Sequence, residues 1–352
     1  VNIHDFYIKR CIQIAKNGLG NTYPNPMVGC VIVADNKVIG EGFTSPAGQN
    51  HAEVNAVQSV KDKALLKKAT LYVTLEPCSH FGKTPPCADL IVKNKIPNVV
   101  VGVLDSNEKV AGRGIRKLTE AGCKVTVGIL EDACKESNKR FFTFHEKRRP
   151  YIILKWAQTA NGFIAPSKDN SPEDRKPIWI TNKFSRQLVH KWRSEEQAIL
   201  VGTNTVITDN PKLNTRDWQG NSPIRVVLDR QLRIPKDSFV WEGSQKTIFL
   251  VGQKTKTEDD SSENIVFENI DFNKNVAQQI CDVLFKHEIQ SLIVEGGSKT
   301  LQTFIDENLW DEARVFEGKT NFENGTQAPV LKHPSQSEEN ITGDLLKTYK
   351  ND

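Results

Sequence analysis

Residues His51 to Cys87 constrain this chain more than any other stretch. His51-Ala52-Glu53 opens it, and Thr74-Leu75-Glu76-Pro77-Cys78-Ser79-His80-Phe81-Gly82-Lys83-Thr84-Pro85-Pro86-Cys87 closes it. His51, Cys78 and Cys87 are three good zinc ligands, and Glu53 sits two residues from the imidazole. A structural zinc site closes with four protein ligands, whereas a catalytic one keeps a position for water. Three ligands and a carboxylate therefore point to a zinc that activates water, with Glu53 moving protons. The pattern also sets a geometric demand. Residues two apart on a helix project roughly 200° away from each other. His51 and Glu53 can share one ion only at a helix end, where the chain is still turning. Cys87, entered from Pro85-Pro86, opens a further helix, whose dipole and free N–H groups favour its thiolate.

A length of 352 residues predicts two domains, each with a core of its own. A formal charge of +4 is too small to argue for nucleic acid. No apolar run approaches the ~18–20 residues that span a bilayer. Val1-Asn2-Ile3-His4-Asp5 lacks a basic segment followed by an apolar one, so no secretory signal is expected. Seven cysteines, an odd number without a disulfide framework, fit a reducing compartment, and a cytoplasmic location is expected. Only Cys78 and Cys87 fall into a metal pattern; the other five read as buried small hydrophobes.

In order, Phe6 to Lys16 predicts a helix with a wide apolar face, and Pro24-Asn25-Pro26 an extended approach to a strand over Val28 to Val33. Asp35-Asn36 turns into a second strand, Lys37 to Phe43. Asn25 reads either as a turn residue or as a pocket residue contacting a base. Glu53 to Val60 is a helix entered at His51. Thr70 to Leu75 is a β-branched, apolar strand that delivers Glu76-Pro77-Cys78 at its carboxyl edge, where ligands gather in open α/β sheets. His80 is a loop histidine or a substrate contact. Lys83 is solvated, or it faces an anionic group of the substrate. Val99 to Leu104, a helix reaching Ala121, and Val125 to Ile129 continue the alternation, which predicts an α/β layered domain over 1–147. The basic and aromatic run from Lys139 to Pro150 reads as a short helix and a solvated linker, or as a phosphate-contacting edge.

The second domain, 148–352, repeats the alternation. Strands are predicted over Tyr151 to Ala157, Ala198 to Val201, Pro223 to Asp229, Thr247 to Val251 and Ser291 to Val294. Helices are predicted over Ser185 to Arg193 and Val276 to His287, and a mobile loop over Lys254 to Asn264. Glu295-Gly296-Gly297-Ser298-Lys299-Thr300-Leu301 is a glycine-rich strand-to-helix turn. It is either a phosphate cradle or a plain tight turn. No G-x-G-x-x-G opens a dinucleotide-binding unit, so a dinucleotide needs another fold.

H-x-E…P-C is the signature of zinc deaminases of nucleobases, here with a longer spacing between the cysteines. Pro24-Asn25-Pro26-x-Val28-Gly29-Cys30, His51-Ala52-Glu53, the Thr74–His80 stretch with Pro85-Pro86-Cys87, and Val110-Ala111-Gly112-Arg113-Gly114 together resemble the bifunctional deaminase–reductase of riboflavin biosynthesis. In the second half, the resemblance rests on Tyr151-Ile152-x-x-Lys155, Trp179-Ile180-Thr181 and Ala198 through Gly202. It continues through Thr205-Val206-x-x-Asp209-x-Pro211-x-Leu213 and Val294-Glu295-Gly296-Gly297. It implies a cytidine-deaminase-like three-layer α/β/α domain followed by a dihydrofolate-reductase-like α/β domain. It implies zinc on His51, Cys78 and Cys87, Glu53 as proton shuttle, and Asn25, His80, Lys83, Asp105 and Asn107 at the pyrimidine nucleotide. NADPH would border Ala157, Trp179, Thr205, Asp209, Arg230 and Gly297, Ser298, Lys299 and Thr300, on toward Thr303. The second substrate site would use Lys155, Arg193, Leu213, Arg216 and Glu295. Lys155, Asp209 and Glu295 are the candidates for polarising or positioning groups. Arginines suit phosphate because their fork grips it bidentately.

The implied activity is hydrolytic deamination of 2,5-diamino-6-ribosylamino-pyrimidinone 5′-phosphate, then reduction of its ribosyl group to ribityl. The implied partner is that small-molecule nucleotide, with neither nucleic acid nor membrane, and a homo-oligomer is expected. The chain departs from the family at Thr44, at Ser106 and Glu108, at Asn161 and at Pro177. Two rivals stand beside this reading: a nucleic-acid or free-nucleoside deaminase with an accessory C-terminal domain, and a non-catalytic zinc-binding module or a deaminase whose reductase half has decayed.

Overall fold

The computed structural model describes residues 2–81, 85–106, 112–167, 179–253, 255 and 261–351. Lys83, Asn107 and Pro177 lie outside them, as does most of the loop expected from Lys254. The chain divides into two compact units, Val1–Arg148 and Arg149–Asp352.

In the first unit, α1 (Ile3–Ala15) leads into the hairpin β1 (Gly29–Ala34) and β2 (Lys37–Phe43). The Tyr23–Pro24 peptide is cis, and the segment before β1 is a series of turns rather than extended chain. Next come α2 (Ala52–Ser59), β3 (Thr70–Leu75), α3 (Cys87–Lys93), β4 (Asn98–Val103), α4 (Arg113–Glu120), β5 (Lys124–Val127), α5 (Glu131–Ser137) and α6 (Lys139–Lys147). The sheet order is β2-β1-β3-β4-β5. β1 runs antiparallel to its neighbours, while β3, β4 and β5 are parallel. Successive strand residues face opposite sides. A Cβ on Gly29 would meet the Cys11 carbonyl of α1 at 2.0 Å, and one on Gly42 the Ala52 carbonyl of α2 at 2.5 Å. Gly42 pairs with Cys30, the neighbour of Gly29, so α1 and α2 cover opposite faces of the sheet and make the three layers. The absence of a side chain at Gly42 also lets the α2 backbone lie directly on β2, which sets where His51 and Glu53 begin the helix.

The second unit is built on a nine-stranded sheet. Its elements are β6 (Tyr151–Thr159), β7 (Phe163–Pro166), α7 (Lys183–Glu195), β8 (Ala198–Gly202), α8 (Thr203–Asp209), β9 (Ile224–Leu228), β10 (Thr247–Gly252) and β11 (Ile265–Ile270). After them come α9 (Val276–Lys286), β12 (Ser291–Val294), α10 (Ser298–Asp306), β13 (Glu312–Gly318), β14 (Gly325–Gln327), β15 (Ser337–Ile341) and β16 (Asp344–Lys350). The order is β11-β10-β9-β8-β12-β6-β13-β16-β15, parallel up to β13 and antiparallel beyond it. Ile152, Leu154 and Trp156 pack with α9 and α10 on one face; Tyr151 and Ile153 pack with Val189 and Trp192 of α7 on the other. Lys155, in phase with Ile153, projects to the α7 side. The Lys139–Pro150 run opens on the expected short helix, α6, and Lys147 and Arg148 are exposed; the solvated reading is corrected for Arg149. Phe141, Phe142 and Phe144 are buried, and Arg149 is a buried partner of Asp311. Among the described residues, no helix is long and apolar enough to cross a membrane.

Candidate active sites

In the first unit, three elements converge at the carboxyl edge of β3. His51 is the N-cap of α2, with extended backbone at φ −74° and ψ 165°, and Glu53 lies in the first helical turn. The helix end is where the sequence required the pair to sit. Cys78 follows β3, and Cys87 is the first residue of α3. His51 Nδ1 lies 3.6 Å from Cys78 Sγ and 3.4 Å from Cys87 Sγ. The Cys87 N–H donates to Cys78 Sγ at 3.3 Å. All three ligand atoms fall within 4.8 Å of one another. This donor set fits zinc, with one tetrahedral position left for water.

The electrostatics suit the same chemistry. A hydrogen bond with the Cys87 thiol, opposed by burial and aided by His51 and the Cys87 N–H, draws the Cys78 thiol down to about 4. Cys87 is held up by its hydrogen bond to Cys78 and by burial. Glu53 is 4% exposed, and burial followed by the Cys78 thiolate push it up to about 7.

Asp105, half-buried, follows β4, and its backbone N–H donates to Glu76 Oε2 at 3.4 Å. His80 is exposed. Asn25 is half-buried, and its N–H closes a turn onto the Thr22 carbonyl at 2.8 Å. Thr44, named above as a departure, is buried and accepts the Val28 N–H at 3.1 Å. Sequence reasoning gave Glu76 no role, although it is buried and collects several backbone N–H groups. Its only signal was an acidic residue inside an otherwise apolar strand end.

In the second unit, Lys155, Arg193 and Glu295 form one charged cluster. Arg193 Nε and Nη2 donate to Glu295 Oε1 and Oε2 at 2.9 and 2.7 Å. Lys155 Nζ donates to Glu295 Oε2 at 3.4 Å. Glu295 is delivered by β12, whose Val294 pairs with Leu154 and Leu200. Burial would raise the Glu295 carboxyl, but the Arg193 and Lys155 charges hold it down at about 2. Burial lowers Lys155, with Glu295 opposing.

Beyond Glu295, a Cβ at Gly296 would come within 2.4 Å of Val201 Cα. Gly297 caps α10 at φ +56° without a side-chain hydrogen bond. The first-turn N–H groups at Ser298, Lys299 and Thr300 therefore have no side-chain cap, a cradle that fits a cofactor phosphate. Thr205 is half-buried in α8, Asp209 is exposed at its end, and Ala157 is half-buried on β6. Arg230 is exposed, donating to Asn273 Oδ1 at 3.4 Å. Trp179 is exposed beneath Arg186, 4.4 Å away.

Leu213 lies in the core with Val189 and Trp192, and not on an open surface. Arg216 is exposed, and its backbone N–H donates to His190 Nδ1 at 3.4 Å. Sequence reasoning missed His190, which is one turn before Arg193 on α7. Asn161 crosslinks its turn: it accepts from Thr159 Oγ1 at 2.7 Å and donates to the Phe322 carbonyl at 2.7 Å.

Residues 1–103 match the cytidine and deoxycytidylate deaminase zinc-binding region, and residues 150–318 match the RibD C-terminal domain. The riboflavin biosynthesis protein RibD of Aquifex aeolicus is 39% identical over 361 residues, covering 98% of this chain and 97% of its own length. The protein of that name from Actinobacillus pleuropneumoniae is 40% identical, covering 83% and 77%. A solved diaminohydroxyphosphoribosylaminopyrimidine deaminase/5-amino-6-(5-phosphoribosylamino)uracil reductase from Thermotoga maritima superposes with a TM-score of 0.87 at 34% identity over 99% of both chains. Acinetobacter baumannii RibD does so at 0.87 and 31%, again over 99% of both.

Proposed function

The chain belongs to the RibD family of riboflavin biosynthesis proteins, and on that premise we propose how its residues divide the work. It is a bifunctional enzyme, a zinc-dependent deaminase and an NADPH-dependent reductase. We assign deamination to Val1–Arg148 and reduction to Arg149–Asp352. The two family matches, 1–103 and 150–318, fall one in each unit and support that division. The convergence of His51, Cys78 and Cys87 beside buried Glu53 carries the reading.

In the deaminase, His51, Cys78 and Cys87 hold the zinc ion, which acidifies a water molecule when bound. Water adds to the ring carbon that bears the exocyclic amine. Glu53 accepts one water proton and passes it to the ring nitrogen, then takes the second from the hydroxyl now on that carbon and delivers it to the amine, so that the carbonyl forms as the C–N bond breaks and ammonia leaves. Asp105, His80 and Asn25 orient the nucleotide, a 2,5-diamino-6-ribosylamino-pyrimidinone 5′-phosphate, and Lys83 and Asn107 complete the set.

In the reductase, the turn at Gly297 and the first turn of α10 hold NADPH with Ala157, Trp179, Thr205, Asp209 and Arg230. NADPH supplies the hydride that converts ribosyl to ribityl at the sugar C1. Glu295, held ionised between Arg193 and Lys155, orients these two cations and keeps no proton to give near neutrality. Lys155, half-buried beside it and lowered by burial, is then the group that donates the proton. Arg216, exposed, with its fork held only at the surface by Asn214 Oδ1 at 3.3 Å and Asp217 at 4.0 Å, is the better phosphate ligand of the two arginines. The reading places the enzyme in the cytoplasm, which the seven free cysteines suit, and includes self-association, which light scattering would read.

A two-channel assay tests the whole. The pyrimidine nucleotide is supplied, and ammonia and NADPH are followed together. Ammonia release followed by NADPH loss is expected. Ammonia without NADPH loss would limit the chain to deamination.

A further inference from the structure

Glu76 stands one residue past β3 and two before Cys78, and the chemistry above gives it nothing to do. Its residue is 3% exposed. Oε1 accepts the N–H of Gly114 at 2.9 Å and of Ile115 at 3.3 Å. Oε2 accepts the N–H of Gly112 at 2.9 Å and of Asp105 at 3.4 Å. The Glu76 N–H donates to the Val103 carbonyl at 3.0 Å. One carboxylate thus collects donors from both ends of the connection between β4 and α4.

Two further features tie this to the metal-ligand arm. α4 starts at Gly112 without a side-chain cap, so Glu76 supplies from another strand the acceptor that a capping residue would provide. A Cβ on Gly114 would sit 2.0 Å from the Pro77 carbonyl, so the first turn of α4 rests on the peptide leading into Cys78. A carboxylate offers acceptors only, about four lone-pair sites, and N–H groups occupy both oxygens. No neutral side chain of this shape can do the same.

We propose that Glu76 is a positioning residue of the deaminase: it fixes Asp105 relative to the Cys78 arm, so that the substrate contact and the metal ligand keep one geometry. The proposal rests on reading the first unit as the deaminase and Asp105 as a substrate contact. Glu76 touches neither substrate nor ligand atoms; it acts through the backbone.

The test uses the full-length zinc enzyme carrying Glu76→Gln or Glu76→Asp. Glutamine keeps the shape but turns an NH2 toward one pair of N–H donors. Aspartate keeps both acceptors and withdraws them by one methylene. The expected result for Glu76→Gln is a deaminase KM raised roughly tenfold or more, the loss of one buried acceptor pair, with kcat little changed. Bound zinc and the visible spectrum of the cobalt-substituted form should match wild type. Glu76→Asp should recover part of the KM. In Glu76→Gln/Asp105→Ala the KM should rise no further than in Asp105→Ala alone, because both changes break one linkage.

An unchanged KM in Glu76→Gln, an additive double variant, or an altered cobalt spectrum would each overturn the proposal. Should Glu76→Gln not fold, Gly112→Ala decides. Gly112 has φ +77°, and a Cβ there would have nothing within 4 Å, so alanine strains the start of α4 without touching Pro77 or Cys78. A raised KM supports the linkage and a wild-type KM overturns it. Absence of ammonia release in the wild-type enzyme would instead count against the deaminase reading itself.

Discussion

Arg193 holds Glu295 with both arms of its guanidinium, at 2.9 and 2.7 Å, and Lys155 reaches the same carboxylate at 3.4 Å. The fork that phosphate binding would use is therefore engaged by a buried anion, and the three residues act as one unit. Removing the charge of Glu295 leaves two cations, their side chains only 12% and 14% exposed, without their shared anion. Breaking one member of a buried pair costs about 2–5 kcal/mol. Glu295→Gln should lower reductase kcat/KM by about 100-fold while ammonia release stays at the wild-type rate. Steady-state NADPH oxidation on the deaminated substrate measures the first and ammonia release the second. Near-normal reduction would show that the cluster is only structural.

His190 gives the second unit an acid limit. It is 3% exposed, and burial, with the charges of Arg193 and Arg216, lowers its ring to about 4 from 6.5. Between those values the unfolded chain binds a proton that the folded one refuses, so stability falls as pH drops from 6.5 toward 4. It is fully retained above 6.5. The loss is at most about 3 kcal/mol, because each tenfold change in proton affinity is worth ~1.4 kcal/mol. Denaturant midpoints of His190→Gln should vary less over this window than those of wild type. Parallel slopes would assign the acid sensitivity elsewhere.

Much of the zinc site could be read before the fold was known, because its constraint is local. The demand that His51 and Glu53 meet at a helix end needed only helical geometry, and the structure puts His51 at the N-cap of α2. β3 and β12 were read with their observed limits, since short β-branched runs bounded by turn residues leave little choice. The missed elements depend on distant partners. β13 alternates Glu312 and Arg314 with apolar residues, yet both charges are nearly buried, because Glu312 accepts from the Tyr151 hydroxyl at 3.0 Å and Arg314 lies over the Trp192 ring at 4.6 Å. β15 is polar and almost fully exposed, so no apolar face announced it. Arg149 read as solvated because Asp311 lies 162 positions away. Glu76 stayed silent for the same reason: its partners come 29 to 39 residues later.

Arg149 also sets a stability prediction. Its Nη1 and Nη2 donate to Asp311 at 2.6 and 2.8 Å, and Asp311 also accepts the Ile152 N–H at 2.8 Å at the start of β6. The side chains are only 10% and 8% exposed. Asp311→Ala strands a buried guanidinium and a strand N–H, and should cost about 3–5 kcal/mol. Replacing both partners, Arg149→Met with Asp311→Leu, should cost clearly less, since no uncompensated charge remains. Chemical denaturation of the single and double variants compares them. Equal losses would mean that the Ile152 hydrogen bond, not the ion pair, dominates.

The two chemistries should separate on metal removal. Nothing in the Lys155, Arg193 and Glu295 cluster is a soft metal ligand, whereas His51, Cys78 and Cys87 offer one nitrogen and two sulfurs within 4.8 Å. Chelation should therefore abolish ammonia release and leave NADPH oxidation of the deaminated substrate intact, with zinc restoring the first. Glu53→Gln divides the site further. It keeps the three ligands, so zinc content should stay near that of wild type, but it removes the proton carrier. Deaminase kcat should then fall by about 10²–10⁴-fold, the usual share of general acid–base catalysis. The pair of results identifies the carboxylate by function rather than by position. Lost zinc in Glu53→Gln would make it part of the ligand shell, and undiminished ammonia release would remove it from the mechanism.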